Sequence, residues 1–468
     1  MRVAGTTLAL ALCSATPALA GAQSTDDADL IPKSIQEQTQ ERSRPALLPG
    51  GTGRLYAEDA ITLASDRGSL AVPLPPPAPS DWENRSSVDL DEQWNLQGRV
   101  TAVLSDRFNV TEDGQIAVPS SHMLRNDLRE AYLTWEALTR TYLEAGRVNL
   151  RNGIALGFNP TDFFRPRTLL DQASLDPSVL RQDRLGTVML RGQSIWTGGS
   201  ASLAYAPKLY APEPLSEGTP YGMSPKFNRT NSDDRVLGSL SFELASLSPQ
   251  ALVFHQGRET LFGANLSRTV GQSIVVYGEW AGGSQQRLTA QALSFGLKTG
   301  ALPSQAPMPS AGDRDYRFQN DVAVGASWSG VAKLMINLEY HYHQAGYSGQ
   351  DERNWFAEGN AQRDDPMVTE ELWYVRGFAN DQQQPWIRQH VFLRADWSDA
   401  FVPHLELSGF AFVNLYDGST LTQLAANYFL SDAWTLGAYA SASLGASRSE
   451  YGSSPQAAGI ILQLRRYF

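Results

Sequence analysis

The stretch Leu334-Met335-Ile336-Asn337-Leu338-Glu339-Tyr340-His341-Tyr342-His343 separates its side chains by parity. Leu334, Ile336, Leu338, Tyr340 and Tyr342 oppose Asn337, Glu339, His341 and His343, with no break. Successive side chains of a strand point to opposite faces, so this is a strand with one apolar and one polar side. Roughly ten residues is also the length a tilted strand needs to cross the hydrocarbon layer of a membrane.

The pattern recurs on both sides of that stretch. Trp94, Leu96, Gly98, Val100, Ala102 and Leu104 share a parity, as do Ala131, Leu133, Trp135 and Ala137. Further such sets are Val236 to Leu244, Val391 to Trp397, Leu405 to Leu415, Trp434 to Leu444 and Ala458 to Leu464. A soluble sandwich, propeller or β-helix also buries one strand face, but its strands run nearer five or six residues, and this chain shows no fixed repeat period. In lipid every backbone donor and acceptor must be paired within the protein, so such a sheet has to close on itself. The expected fold is all-β, a transmembrane antiparallel barrel of about 16 to 18 strands, since bacterial single-chain barrels take even numbers.

Composition agrees. The 468 residues are 42% hydrophobic and 19% charged, with 39 glycines, 11 tryptophans, 17 tyrosines and 18 phenylalanines. That mixture suits many short strands better than a helical core. The net charge of −11 argues against a nucleic-acid partner.

Residues 1–20 read as a signal peptide: Arg2 near the start, a brief apolar core from Leu8 to Leu12, and Ala18-Leu19-Ala20 before an expected cut. The single cysteine, Cys13, would leave with it, so no disulfide is expected in the exported chain. Residues 21–85 are polar and contain Pro73-Leu74-Pro75-Pro76-Pro77-Ala78-Pro79, a semi-rigid extended run. They are expected to form a flexible, disordered periplasmic arm, able to dock a periplasmic partner, and residues 86–468 the barrel. No apolar run after Ala20 approaches the roughly 20 residues of a membrane helix.

An aromatic residue, Phe468, closing the last amphipathic strand resembles the terminal signature of bacterial outer-membrane barrels. A second set of residues is more specific: Leu128-Arg129-Glu130-Ala131-Tyr132-Leu133, then Glu144-Ala145-Gly146-Arg147, then Gly157-Phe158-Asn159-Pro160-Thr161-Asp162-Phe163-Phe164. These resemble the early strands of the alginate-export porin family. The resemblance implies an 18-stranded monomeric channel in the outer membrane of a Gram-negative bacterium, with lipid and lipopolysaccharide around it. It also implies an arginine-lined constriction that selects anionic solutes or exported polysaccharide.

The residues offer material for such a constriction. Arginines outnumber lysines 33 to 5, and ten lie between Arg125 and Arg191. Arginine keeps its charge and presents a planar fork of donors suited to carboxylate or phosphate. Arg129, Arg147, Arg151 and Arg191 are candidates for the lumen wall. Asn152 to Arg184 is about 30 residues long and broken by Pro160, Pro166 and Pro177, which marks it as a constriction loop. Folded inward, Arg165, Arg167, Arg181 and Arg184 would set the field in the pore; folded outward, they are only surface charge. Other long connections are Pro207 to Asp234, Leu302 to Asp315 and Tyr347 to Pro385. Within the last, Asp351 to Asp365 is charge-rich and reads as a solvated loop, or else a lid or a cation site.

No catalytic motif is present: neither a Gly-x-Ser-x-Gly elbow nor His-Glu-x-x-His occurs. His341 and His343 share a strand face and read as polar lumen lining rather than a metal or catalytic pair. No cofactor is implied. The expected function is a passive channel, not an enzyme. The alternatives are a structural or assembly barrel of a secretion system and an outer-membrane hydrolase such as a phospholipase.

Overall fold

In a computed structural model the alternating segments pair edge to edge and the ladder returns to its start. The structure describes residues 44–45, 51–73, 80–113, 123–215, 221–222, 224–303 and 314–468. Eighteen strands make the wall. They are β1 (Gly51–Asp66), β2 (Trp82–Gln97), β3 (Val100–Asp113), β4 (Met123–Leu138), β5 (Thr141–Val148) and β6 (Thr187–Trp196). Next come β7 (Gly199–Ala206), β8 (Arg235–Phe242), β9 (Leu247–Gln256), β10 (Glu259–Val270), β11 (Ile274–Gln285) and β12 (Arg317–Ser329). The last six are β13 (Leu334–His343), β14 (Gln389–Trp397), β15 (Leu405–Asn414), β16 (Thr420–Ser431), β17 (Trp434–Leu444) and β18 (Gln456–Tyr467). Each pairs antiparallel with its neighbour, and β1 pairs with β18 from Tyr56↔Tyr467 to Asp66↔Gln456, which closes the barrel.

Burial is inverted relative to a water-soluble protein. Leu338 is 53% exposed while its neighbour Glu339 is 1% exposed, and Leu462 is 54% exposed against 3% for Gln463. Polar side chains fill the inside, and an apolar skin of Leu133, Leu203, Leu424 and Leu462 faces outward. That arrangement is stable only where the surrounding solvent is lipid. No helix among the described residues is long and apolar enough to cross a membrane.

The two ends differ. At one, every connection is two to seven residues long, from Gly98-Arg99 to 398–404; at the other, connections reach 38 residues at 149–186 and 45 at 344–388. Short turns mark the periplasmic end of such barrels and long loops the outer end. The outer loops carry α1 (Pro177–Gln182), α2 (Phe227–Thr230), α3 (Leu288–Thr299), α4 (Gly349–Ala361) and α5 (Pro366–Asp381). Helices α3, α4 and α5 share a core of their own, built on Leu288, Leu293, Trp355, Phe356, Val375 and Phe378.

Three sequence expectations need correction. The barrel begins at Gly51, not at residue 86, because all of β1 and the first four residues of β2 lie inside the stretch assigned to the arm. Their parity is masked by polar outward residues such as Asp59 and Ser86. The set from Trp94 to Leu104 is a hairpin rather than one strand: Gly98 turns the chain at φ +55, a conformation glycine adopts without strain, and the parity is the same on both sides. Asp351 to Asp365 is no irregular loop either. Ser348 and Asp351 form a capping box at the start of α4, and Asp365 is the N-cap of α5, so these carboxylates start helices. The signal peptide, the polyproline run 74–79 and the arm residues 21–43 and 46–50 lie outside the described residues.

Candidate pore constriction

After Val148 the chain leaves the wall and runs inside the barrel until β6. Its inward course is held by carboxylates that point into the lumen. Glu279 of β11 accepts from the backbone N–H groups of Ile154 and Ala155. Glu339 of β13 accepts from Leu156 N at 2.6 Å and Gly157 N at 2.9 Å. Further along, Gln423 of β16 accepts from Leu175 N at 3.0 Å, and Arg394 of β14 pairs with Asp176 at 2.7 Å. The loop therefore spans from β11 to β16 across the lumen. Gly157 permits the closest approach: a Cβ there would lie 2.6 Å from His341 Cε1 and 2.6 Å from Phe392 Cγ.

Opposite the loop, the wall carries a belt of four arginines on strands that neighbour one another through the barrel closure. Glu58 of β1 bridges Arg85 of β2 at 3.0 Å and Arg465 of β18 at 2.9 Å. Asp89 of β2 likewise bridges Arg107 of β3 and Arg129 of β4, and Arg107 Nη2 donates to Tyr56 Oη at 3.2 Å. Each wall carboxylate is shared by two guanidiniums, and with Asp183 of the loop 3.6 Å from Arg129 the four arginines still outnumber the three carboxylates paired with them. A cavity of about 150 Å³ separates belt from loop, lined by Arg85, Arg107, Arg394 and Arg465 against two carboxylates, Glu58 and Asp176.

The arginines picked out by sequence divide into three groups. Arg129 belongs to the belt, and Arg191 faces the lumen from β6, paired with Glu144 at 3.1 Å. Arg181 and Arg184 are pins within the loop. Arg184 grips Asp162 with two donors at 2.8 and 2.9 Å and reaches Asn149 Oδ1 at 2.8 Å, while Arg181 donates to the carbonyls of Asn152 and Gly153. Burial pushes the Asp162 carboxyl up, but Arg184 and Arg181 outweigh it and hold the group below its ordinary range. Arg151 lies half-buried at the base of the loop.

Arg147, Arg165 and Arg167 sit on the outer side. Arg147 does not face a narrowing: it donates to Gly186 O and Pro225 O and lies 5.4 Å from the Phe227 ring. It thereby fastens the 207–234 connection where β5 ends early. Arg167 reaches Asp381 of α5 at 3.1 Å and Glu213 O at 3.0 Å, joining three loops. Arg165 stacks 4.5 Å over Phe158 at the loop tip, and burial pulls its guanidinium below the ordinary value, only partly offset by Asp321, Asp162 and Glu279.

His341 and His343 do not converge on a shared ligand. His341 pairs with Glu339 and His343 with Asp321, each at 2.7 Å, and the Phe158 ring meets both edge-on. No group of three or more metal-ligating side chains occurs among the described residues.

The barrel has counterparts of the same overall fold among solved structures. A BenF-like porin from Pseudomonas fluorescens Pf-5 superposes with a TM-score of 0.51 at 11% identity, covering 90% of this chain and 100% of that one. Pseudomonas aeruginosa OccK5 (OpdH) gives 0.50 at 9% identity, covering 90% and 99%. The chain has the fold of an outer-membrane porin. At such identities the likeness is one of fold alone. No family model matches the chain, and no curated protein matches it by sequence.

The porin fold positions residues that sequence reasoning passed over: Glu58, Arg85, Arg107, Arg394 and Arg465. Arg85 and Glu58 lay in the presumed arm. Arg107, Arg394 and Arg465 are single inward arginines on separate strands, and the signal that finds them is parity within each strand rather than clustering along the chain.

Proposed function

We propose that this protein is a passive outer-membrane channel whose arginine belt favours anionic solutes. The observation that carries the reading is the stoichiometry of the belt: four guanidiniums outnumber two wall carboxylates and Asp183 of the loop, 3.6 Å from Arg129, and face the inward loop across a narrow cavity. Such a wall lowers the energy of an anion in transit, and because its arginines are already paired it does not trap the anion. The proposed setting is a Gram-negative outer membrane, with lipid against the apolar skin and lipopolysaccharide around the outer loops.

An acidic polysaccharide could use the same belt one residue at a time. Support for that cargo is the resemblance of the Arg129 to Phe164 region to alginate-export channels. The porin-like fold and the absence of a nameable nucleophile favour transport over hydrolysis.

The test is the reversal potential in a planar bilayer under a tenfold KCl gradient, for wild type and for a variant carrying Arg85→Gln, Arg107→Gln and Arg465→Gln. The reading requires anion selectivity in wild type that falls toward zero in the variant. A folded, heat-modifiable barrel that passes no current would instead indicate a structural or assembly role.

A further inference from the structure

Every belt arginine has a carboxylate partner. Two arginines on the outer side of the loop do not. Arg165, 8% exposed, donates to Asn159 O and stacks on Phe158; Arg235, 5% exposed, donates to Thr230 O and lies 4.8 Å from the Phe164 ring. Neither forms an ion pair among the described residues, and the Nε–H of each is buried without an acceptor. An unsatisfied buried donor on a charged group is costly and calls for a counter-ion.

Both guanidiniums line one chamber of about 370 Å³, between the loop tip, the start of β8, the β9–β10 hairpin, α3 and the end of α5. Arg258 and Lys298 stand at its more exposed margin, and Phe254 and Gln384 complete the lining, the latter with its Oε1 also unpartnered. Four acidic residues border the chamber, against the cations Arg165, Arg235, Arg167, Arg229, Arg258 and Lys298. Asp162 is paired with Arg184, Asp321 with His343, Asp233 accepts from Ser232 and Gln256, and Glu259 stands at the β9–β10 hairpin. The volume lies in the range of small-molecule sites.

We propose that this chamber binds a small organic oxyanion, through a carboxylate or phosphate group whose oxygens accept from Arg165 and Arg235. It rests on the channel reading above: the site would hold an anion on the outer side of the belt before transit. Phe254 offers an apolar wall and Gln384 an amide to the remainder of the ligand, which distinguishes the chamber from a site for chloride.

Calorimetric titration of the folded, detergent-solubilised protein with gluconate and with inorganic phosphate, at constant ionic strength in chloride, tests this. One saturable site is expected for at least one probe. Its affinity should fall at least tenfold in Arg165→Gln/Arg235→Gln and two- to threefold in Arg258→Gln. A preference for either probe supports the site and names its head group. Absence of saturable binding for both, or an unchanged affinity in the double variant, overturns it. If the double variant fails to fold, unchanged affinity in both Arg258→Gln and Lys298→Gln overturns it. Reversal potentials on the same preparations separate the two proposals: anion selectivity without saturable binding removes the chamber alone, and saturable binding without selectivity removes the channel's anion preference alone.

Discussion

The belt and the inward loop are both rich in arginine, yet they use it in opposite ways. In the loop, Arg184 and Arg181 spend their donors on Asp162 and on carbonyls of their own segment, and Arg167 ties neighbouring loops together. In the wall, Arg85, Arg107, Arg129 and Arg465 come one to a strand and share carboxylates two to one. Arginines close in sequence thus build the obstruction, and arginines distant in sequence give it its charge. The difference follows from geometry. A loop without a ladder must satisfy its backbone with side chains, whereas a strand has its backbone already paired and leaves its side chains to the lumen.

That division can be broken at its pins first. Arg184→Ala leaves the buried Asp162 carboxylate with Arg181 alone, at 3.3 Å, and removes its two-donor grip, a loss approaching the roughly 3–5 kcal/mol of a broken buried pair. The inward segment should detach, lowering the thermal midpoint and replacing steady current by flickering. An unchanged midpoint would mean that the loop is held elsewhere.

Glu279→Gln with Glu339→Gln weakens four backbone anchors, each a hydrogen bond to a charged group worth about 1.5–3 kcal/mol. Single-channel conductance should rise at least twofold as the loop swings from the wall. Equal conductance would place the narrowing away from this loop.

Arg147→Gln sharpens the contrast from the other side. It loosens the 207–234 connection, visible as faster proteolysis there, and should leave ion selectivity unchanged.

The smallest effect is a dependence on pH at the outer helices. Burial, with Asp417 and Glu450 beside it, pushes the Glu352 carboxyl up to about 9, against a smaller opposing pull from Arg376 of α5. Around this carboxyl, His390 of β14 pairs with Glu450 at 2.8 Å. Because the docked state holds the proton more tightly, its contribution is complete below the ordinary glutamate range and is lost as pH rises through about 9. The protection factors of the α4 amides, with intrinsic base-catalysed exchange divided out, should therefore fall from pH 6 to pH 9.5, and Glu352→Gln should flatten that profile.

How much of this was legible follows from the same physics. Parity is a local property, so Leu334 to His343 and Leu405 to Leu415 announced their strands, and Pro160, Pro166 and Pro177 announced that 152–184 could not be a strand. What parity could not supply was phase across a tight turn, which is why Trp94 to Leu104 read as one strand across Gly98. It also failed where outward positions are polar: Asn84 and Ser86 of β2 both donate to Asp59 of β1 on the outer face and hide both strands. The belt was hidden for a third reason. Glu58 and Arg465 are 407 residues apart and meet only because the barrel closes. Local density favoured Arg147 and Arg184 instead, and density along a chain reports a loop's need for donors as readily as a pore's need for charge.

The most direct test of the central claim compares reversal potentials of wild type, the Arg85→Gln/Arg107→Gln/Arg465→Gln variant and Arg147→Gln in one salt gradient. The account predicts anion selectivity in wild type, its loss in the belt variant and its retention in Arg147→Gln. Selectivity that survives loss of the belt arginines, or disappears with Arg147 alone, would contradict it.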